Sequence, residues 1–346
     1  MEIIWFCIVA AMIATYVVLD GFDIGAGIVH LYVARDDAER RKVIRSVGPV
    51  WDGNEVWLLA GGGVLYFAFP GLYASSFSGF YLPLMIVLWL LILRALSIEL
   101  RNAIDAPTWR PFWDAGFFGA SALLAILFGG ALGNVVRGVP LDKNGDFFLP
   151  LWTNFRVQAD AGILDWYTIS VGALAFLTLT QHGSLWVVYK TDGAIRERAL
   201  KLVKPLWAAI LLATIAVTVM SWSVQPQIPA NFAAYPWGYV FPALALAGLG
   251  WIAASGFGKK ELNSFLGSVL YIAGMLTSAA FGIFPDVLPA IGEPGNSLTI
   301  YNTAASPYGL KVGLGWWIPG IILATGYTVY VYRSMRGKVS LEEGGH

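Results

Sequence analysis

Ionisable residues are costly inside an apolar stretch, and they point to function where they occur there. The first such group is the run Asp20-Gly21-Phe22-Asp23-Ile24-Gly25-Ala26-Gly27. Asp20 and Asp23 stand at i and i+3, so both carboxylates share one face of a helix. Burial and mutual repulsion favour the protonated form of such a pair, which suits a proton relay. Gly21 and Gly25 form a small-xxx-small pair that permits close helix approach. The competing reading pairs both acids with Arg35 or its neighbours at a membrane boundary. Asp20 lies far enough before that basic loop to favour function, and for Asp23 the two readings balance.

The second group is Pro49-Val50-Trp51-Asp52-Gly53-Asn54-Glu55-Val56-Trp57. Asp52 and Glu55 have the spacing of a helix N-cap and its capping-box partner. Together with Asn54 and the flanking tryptophans they also make a polar, aromatic-walled mouth, and the two readings are compatible. The third group is Arg94, Glu99, Arg101 and Asp105. Arg94 is the deepest; it is expected to form a structural ion pair with Glu99 or to snorkel. His30 and His182 are the histidines placed to ligate haem, but a lone histidine near a span end is more often a hydrogen-bonded structural residue. One cysteine, Cys7, excludes a disulfide framework and a cysteine-based zinc site. No P-loop, dinucleotide fingerprint or HExxH run is present.

These residues need helices in a membrane to position them. Of 346 residues, 57% are hydrophobic and 13% charged, about half the charge of a typical soluble domain. The 22 basic and 22 acidic residues cancel, so nothing suggests nucleic acid. A membrane helix takes about 20 apolar residues. Nine stretches qualify: 2–33, 53–74, 76–100, 113–136, 162–189, 204–223, 237–256, 261–285 and 312–333. The first lacks a basic n-region and a cleavage site, so it reads as a retained span. With the N-terminus outside, 18 of the 22 Lys and Arg fall in inside loops, a strong positive-inside bias. The expected C-terminus is cytoplasmic.

A shift of 156 residues lays Asp36, Ala38, Arg40, Pro49 and Trp51 over Asp192, Ala194, Arg196, Pro205 and Trp207. Each copy would hold four spans, giving a parallel repeat. The expected architecture is an all-α polytopic membrane protein: two four-helix bundles plus one extra helix. The segments are 1–136 for the first bundle, 137–161 for an outside loop and 162–285 for the second bundle. A second outside loop at 286–311, a ninth helix at 312–336 and a mobile tail at 337–346 complete the chain.

The run from Asp20 to Gly27 resembles the first-span signature of subunit II of the cytochrome bd-type quinol oxidases. Trp51-Asp-Gly-Asn-Glu-Val-Trp-Leu58 looks like the hallmark of its second span. Phe77-Ser-Gly-Phe-Tyr81 followed by Arg94 is similar to the third, and Gly129-Gly-Ala-Leu-Gly-Asn134 followed by Gly138-Val-Pro140 to the end of the fourth. The match is dense over 15–140 and rests beyond that on span count, loops and the repeat.

The resemblance implies a subunit of a quinol:oxygen oxidoreductase in the bacterial cytoplasmic (inner) membrane. Haem b and haem d then belong to a homologous subunit I, and this chain ligates none. It implies a proton pathway from the cytoplasm through Asp52 and Asp20, to which the residue reading adds Glu55 and Asp23. It leaves room for a structural quinone and a small single-helix third subunit. Two other readings compete: a proton-coupled secondary transporter, and a scaffold whose carboxylates only cap helices and pair with arginines.

Overall fold

The computed structural model describes residues 1–158 and 160–340. The helices among them are α1 (Glu2–Val33), α2 (Asp37–Val47), α3 (Trp51–Ala68), α4 (Pro70–Gly79), α5 (Tyr81–Leu100) and α6 (Trp109–Arg137), followed by α7 (Trp166–Lys190), α8 (Gly193–Val224), α9 (Gln227–Ala234), α10 (Val240–Ala254), α11 (Glu261–Ile283) and α12 (Pro307–Ser334). Eight segments are long and apolar enough to cross a membrane: α1, α5, α6, α7, α8, α11, α12 and Pro236–Ala254, where a 3-10 turn leads into α10. The chain is thus a mostly helical, multi-pass membrane protein.

The expected stretch 53–74 is the exception to the count of nine. It breaks at Phe69-Pro70, where Phe69 (φ −132°, ψ 63°) ends α3 and Pro70 opens α4. The residue before a proline is pushed out of the helical region, and proline cannot continue the hydrogen-bond ladder. What remains is an 18-residue α3 with Asp52, Asn54 and Glu55 in its first turns, too polar to join the eight.

The two basic loops of the suspected repeat start alike and end differently. Asp36 caps α2, its Oδ1 accepting from Glu39 N at 2.8 Å. Asp192 holds the same place before α8 but makes no side-chain cap bond; its carboxylate instead accepts from Lys42 Nζ at 2.6 Å. That hydrogen bond and the Lys42 charge hold the Asp192 carboxyl below its usual range. Pro49 separates α2 from α3, whereas Pro205 lies inside the continuous α8.

At the centre α1 crosses α7 with backbones in contact. A Cβ on Gly25 would lie 1.9 Å from the Leu179 carbonyl oxygen, and one on Gly183 2.1 Å from the Gly25 carbonyl carbon. Only glycine permits this approach, and it carries the α1 acids into the middle of the bundle. Phe22 stacks on Trp186 beside the crossing, ring centroids 4.0 Å apart.

A second core gathers around Trp5, Phe69, Leu141, Leu149, Leu288 and Leu310. It seats the two long loops on the bundle end that holds the N-terminus. Within it β1 (Trp152–Phe155) pairs in parallel with β2 (Leu164–Asp165), and β3 (Asp286–Leu288) pairs antiparallel with β4 (Leu298–Thr299). Val139 N donates to Pro289 O at 3.0 Å and Ile291 N to Val139 O at 2.8 Å, so the two loops are stitched together. At the other end, Lys338 Nζ donates to Val188 O (2.9 Å) and Val339 N to Lys190 O (2.8 Å). The start of the expected mobile tail is therefore held on α7, and residues 341–346 lie outside the described residues.

Candidate functional site

Three helices bring the singled-out acids together. Asp20 and Asp23 on α1 and Arg94 on α5 have no exposed surface. Arg94 Nη1 donates to Asp20 Oδ1 at 2.5 Å and its Nη2 to Glu55 Oε2 on α3 at 2.8 Å. The guanidinium suits this place because its planar fork can serve two carboxylates at once. The Glu55 side chain keeps 21% of its surface exposed and opens the cluster to the outside of the chain.

The remaining acid is held by an amide. Asn54 Nδ2 donates to Asp23 Oδ2 at 2.7 Å and also reaches Leu19 O at 3.3 Å. Tyr332 Oη on α12 donates to Asn54 Oδ1 at 2.7 Å. The tyrosine fixes which way the amide points, so the NH2 faces the carboxylate. Asp20 Oδ2, Asp23 Oδ1 and Arg94 Nε are buried with no protein partner among the described residues. One cation thus faces three carboxyl groups, and buried hydrogen-bonding capacity is left over for water or protons.

Two sequence expectations are corrected here. The Arg94–Glu99 pair does not form: Glu99 is exposed and belongs to none of the ion pairs among the described residues. Five residues at about 100° each put Glu99 about 140° around α5 from Arg94, on the opposite side of the helix. The capping box at Asp52 and Glu55 does not form either. α3 begins at Trp51 with Val50 at the N-cap, so Asp52 falls inside the first turn and no side chain caps the helix, while Glu55 pairs with Arg94. Asp52 is exposed one turn before Glu55 and is not hydrogen-bonded into the cluster.

Arg35, the alternative partner for the α1 acids, donates its backbone N–H to Glu39 instead. Glu39 in turn pairs with Arg198, and that hydrogen bond holds its carboxyl below its ordinary value against the opposing effect of burial. Tyr332 was missed in the sequence because a tyrosine in the last turn of a span looks like an interfacial aromatic. Asn54 was visible in the Trp-Asp-Gly-Asn run, but its two partners were not.

The two buried histidines differ in what their ring nitrogens meet. His182 has both nitrogens engaged, Nδ1 with Ser268 Oγ (2.7 Å) and Nε2 with Val18 O (2.9 Å), and its ring stacks on Phe265. His30 Nδ1 is bonded to Gly27 O (2.7 Å), and its Nε2 faces Asp114 Oδ1 at 3.7 Å. Asp114 is buried and also receives Arg101 Nε (2.6 Å) and Arg40 Nη1 (2.9 Å). Among the described residues no group of three His, Cys, Asp or Glu side chains could hold a metal ion.

A further buried ion pair, not anticipated from the sequence, joins Arg137 at the end of α6 to Asp165 before α7. Asp165 forms a capping box with Thr168, its Oδ1 accepting from Tyr167 N (2.7 Å) and Thr168 N (2.9 Å). The Asp-x-x-Thr spacing was the sequence signal that could have revealed it.

The profile of the cytochrome bd terminal oxidase subunit II family matches residues 1–335. The probable cytochrome oxidase subunit 2 of Haemophilus influenzae is 32% identical over 364 aligned positions, covering 98% of this chain and 95% of that protein. Subunit 2 of the cytochrome bd-I ubiquinol oxidase of Escherichia coli K12 is 29% identical, covering 99% and 96%. Its Bacillus subtilis counterpart is 27% identical, covering 98% and 97%. In structure, the chain superposes on a chain of the bd oxidase from Geobacillus thermodenitrificans with a TM-score of 0.72 at 18% identity, over 96% of this chain and 97% of that one. With the acid-bearing motifs of α1 and α3 inside the matched region, the chain belongs to the cytochrome bd terminal oxidase subunit II family.

Proposed function

We propose that this chain is the haem-free subunit II of a terminal quinol oxidase in the bacterial inner membrane. The complex reduces dioxygen to water with electrons from membrane quinol. This subunit stabilises a haem-bearing subunit I and carries part of the proton path from the cytoplasm. Haem b and haem d reside in subunit I and supply the oxygen chemistry. A single-helix third subunit and a bound quinone are compatible with the reading. In the membrane, α3 with α4 completes a set of nine spans with the N-terminus outside, arranged as two four-helix bundles and α12. The backbone crossing of α1 on α7, one from each copy of the repeat, supports that arrangement.

The observation that carries the proton path is the chain of acids from exposed Asp52 through half-open Glu55 to buried Asp20 and Asp23, tied by Arg94. Asp52 collects a proton at the start of α3. Glu55, one turn deeper, accepts it, and Asp20 and Asp23 hold it next to unfilled hydrogen-bonding positions. Arg94 offsets the buried negative charge when the acids are ionised. Proton uptake on this side and release by quinol on the other make turnover electrogenic without a pump.

The test begins with purification through this chain and a reduced-minus-oxidised spectrum of the complex. Haem b and chlorin-type haem d signals with a second large subunit are expected. In that complex Asp52→Asn slows oxygen reduction and proton uptake while the haem spectrum is kept. Unchanged turnover and charge movement in an assembled Asp52→Asn enzyme would overturn the path.

A further inference from the structure

The polar stripe of α1 does not end at Asp23. Asp20, Asp23, Gly27 and His30 follow one another at spacings of three, four and three, which is one helix face, and all four are buried. A carbonyl can only accept, so His30 Nδ1 carries a proton and donates it to Gly27 O. Neutral His30 therefore presents a bare lone pair at Nε2, and that lone pair faces another acceptor, Asp114 Oδ1, at 3.7 Å. Two acceptors this close are joined by a proton on the imidazole. Nε2 has no hydrogen-bond partner among the described residues.

The groups around His30 fit a proton position. From α6 come Asp114 and the Phe117 ring, 5.0 Å from the imidazole. Arg40 of α2 and Arg101 after α5 both bind Asp114 rather than His30. Asp114 also lines a cleft of about 490 Å3 whose walls include Arg35, Arg40, Arg101 and Arg110. This cleft lies among the basic loops on the side read as cytoplasmic.

Toward Asp23 the face of α1 is bare at Gly27. The Ser121 hydroxyl of α6 sits where a Cβ would be, 2.1 Å from that position, and it is fully buried with no hydrogen-bond partner among the described residues. One turn back on the same face of α1 stands Asp23, whose Oδ1 is also without a partner among the described residues. Seven residues of helix separate Asp23 from His30, a rise of about 10.5 Å. The Ser121 hydroxyl and one or two waters can span that distance.

We propose that Asp114, His30 and Ser121 form a second cytoplasmic proton inlet, which joins the Asp52–Glu55 route at Asp23 and Asp20. The inference rests on the proton-path reading above. A proton from water in the cleft binds His30 Nε2, and the imidazolium pairs with Asp114. A proton then leaves from Nδ1, the nitrogen that faces Gly27, to water held by Ser121 and reaches Asp23 Oδ1. His30 is left neutral as the Nε2–H tautomer, and proton exchange with water in the cleft restores the Nδ1–H bond to Gly27 O.

The test uses the intact oxidase in proteoliposomes, with oxygen consumption and proton uptake normalised to the haem spectrum. Asp52→Asn is expected to keep residual turnover, carried by the second inlet. His30→Gln alone slows turnover about twofold. The His30→Gln/Asp52→Asn enzyme falls at least tenfold below Asp52→Asn alone. Ser121→Ala/Asp52→Asn gives the same loss without touching a charged group, and decides the matter if the histidine variant does not assemble. Residual turnover that survives in the double variants overturns the inlet, as does an Asp52→Asn enzyme with no residual turnover. If Asp20→Asn and Asp52→Asn both turn over and take up protons normally, the proton-path reading itself fails, a distinct result.

Discussion

Two of the buried arginines, Arg137 and Arg94, meet aspartates in opposite ways. Arg137 engages all three of its nitrogens: Nε on Gly138 O (3.1 Å), Nη1 on Gly162 O (3.0 Å) and Asp165, Nη2 on Asn134 Oδ1 (2.8 Å). Its partner Asp165 is equally occupied by the first turn of α7. One charge meets one charge, and no polar atom of the pair is left over. Around Arg94, one cation serves two carboxylates with a third close by, and Asp20 Oδ2, Asp23 Oδ1 and Arg94 Nε have no partner among the described residues. A saturated buried network is rigid, whereas an unsaturated one is costly unless water or protons complete it. The Arg137 pair therefore reads as a joint between α6 and α7, and the Arg94 cluster as a place where protons come and go.

The sharpest way to break that contrast is to remove Arg137. Arg137→Gln leaves Asp165 ionised and buried, which typically costs about 3–5 kcal/mol. The expected outcome is a large loss of assembled complex and a lower melting temperature, with turnover per haem unchanged in what survives. Lower turnover per haem at unchanged stability would make the two regions alike. At the other cluster Asp20→Asn is expected to lower turnover at least tenfold, about 1.4 kcal/mol on the barrier, with haem content kept. If Asp20→Asn instead costs assembly and spares turnover, the Arg94 cluster is a second joint.

What the sequence could and could not reveal follows the same division. Asp20, Asp23, Glu55 and Arg94 stood out because charge in an apolar stretch needs a reason. Their pairing did not stand out. Glu99 is closer to Arg94 in the chain than Asp20 or Glu55, but helix geometry turns it away, and only the packing of α1, α3 and α5 selects the true partners. Arg137 and Asp165 escaped notice because charges at span ends are ordinary; what distinguishes this pair is its burial. The break at Phe69 was legible in Pro70, yet the apolar residues around it outweighed the proline. The Gly25–Gly183 crossing was half visible, since one small-xxx-small pair was noted but its partner backbone lay 158 residues away.

A smaller perturbation sharpens the account of the Arg94 cluster. Tyr332→Phe removes one hydrogen bond, worth about 1 kcal/mol, and releases the Asn54 amide. Asn54 can then present either its oxygen or its NH2 to Asp23. The expected result is a small drop in stability with a several-fold drop in turnover, measured on the assembled complex. At the Arg137 joint, Asn134→Ala removes three hydrogen bonds, to Gly130 O, to Ile163 O and from Arg137, and should lower stability further while sparing turnover. Equal turnover losses in the two variants would show that α12 plays no special part in holding Asp23.

The smallest effect belongs to pairs that water reaches, and it tests whether burial rather than pairing separates the regions. Glu39 on α2 pairs with Arg198 on α8 while keeping 20% of its side-chain surface exposed. The Arg198 hydrogen bond lowers its folded-state pKa, with burial opposing and the Arg35 N–H assisting. A lowered carboxylate pKa means the unfolded chain binds the proton more readily than the folded one. The stabilisation is therefore complete above the ordinary value of 4.5 and disappears as pH falls through the lowered folded value. Such a pair contributes at most about 1 kcal/mol. Melting temperatures of wild type and Glu39→Gln should thus differ by a degree or two at pH 7 and converge in acid, with turnover unaffected throughout. Added salt should shrink the difference at pH 7, whereas it should leave the Arg137→Gln defect nearly untouched, because screening ions cannot reach a pair with no exposed surface.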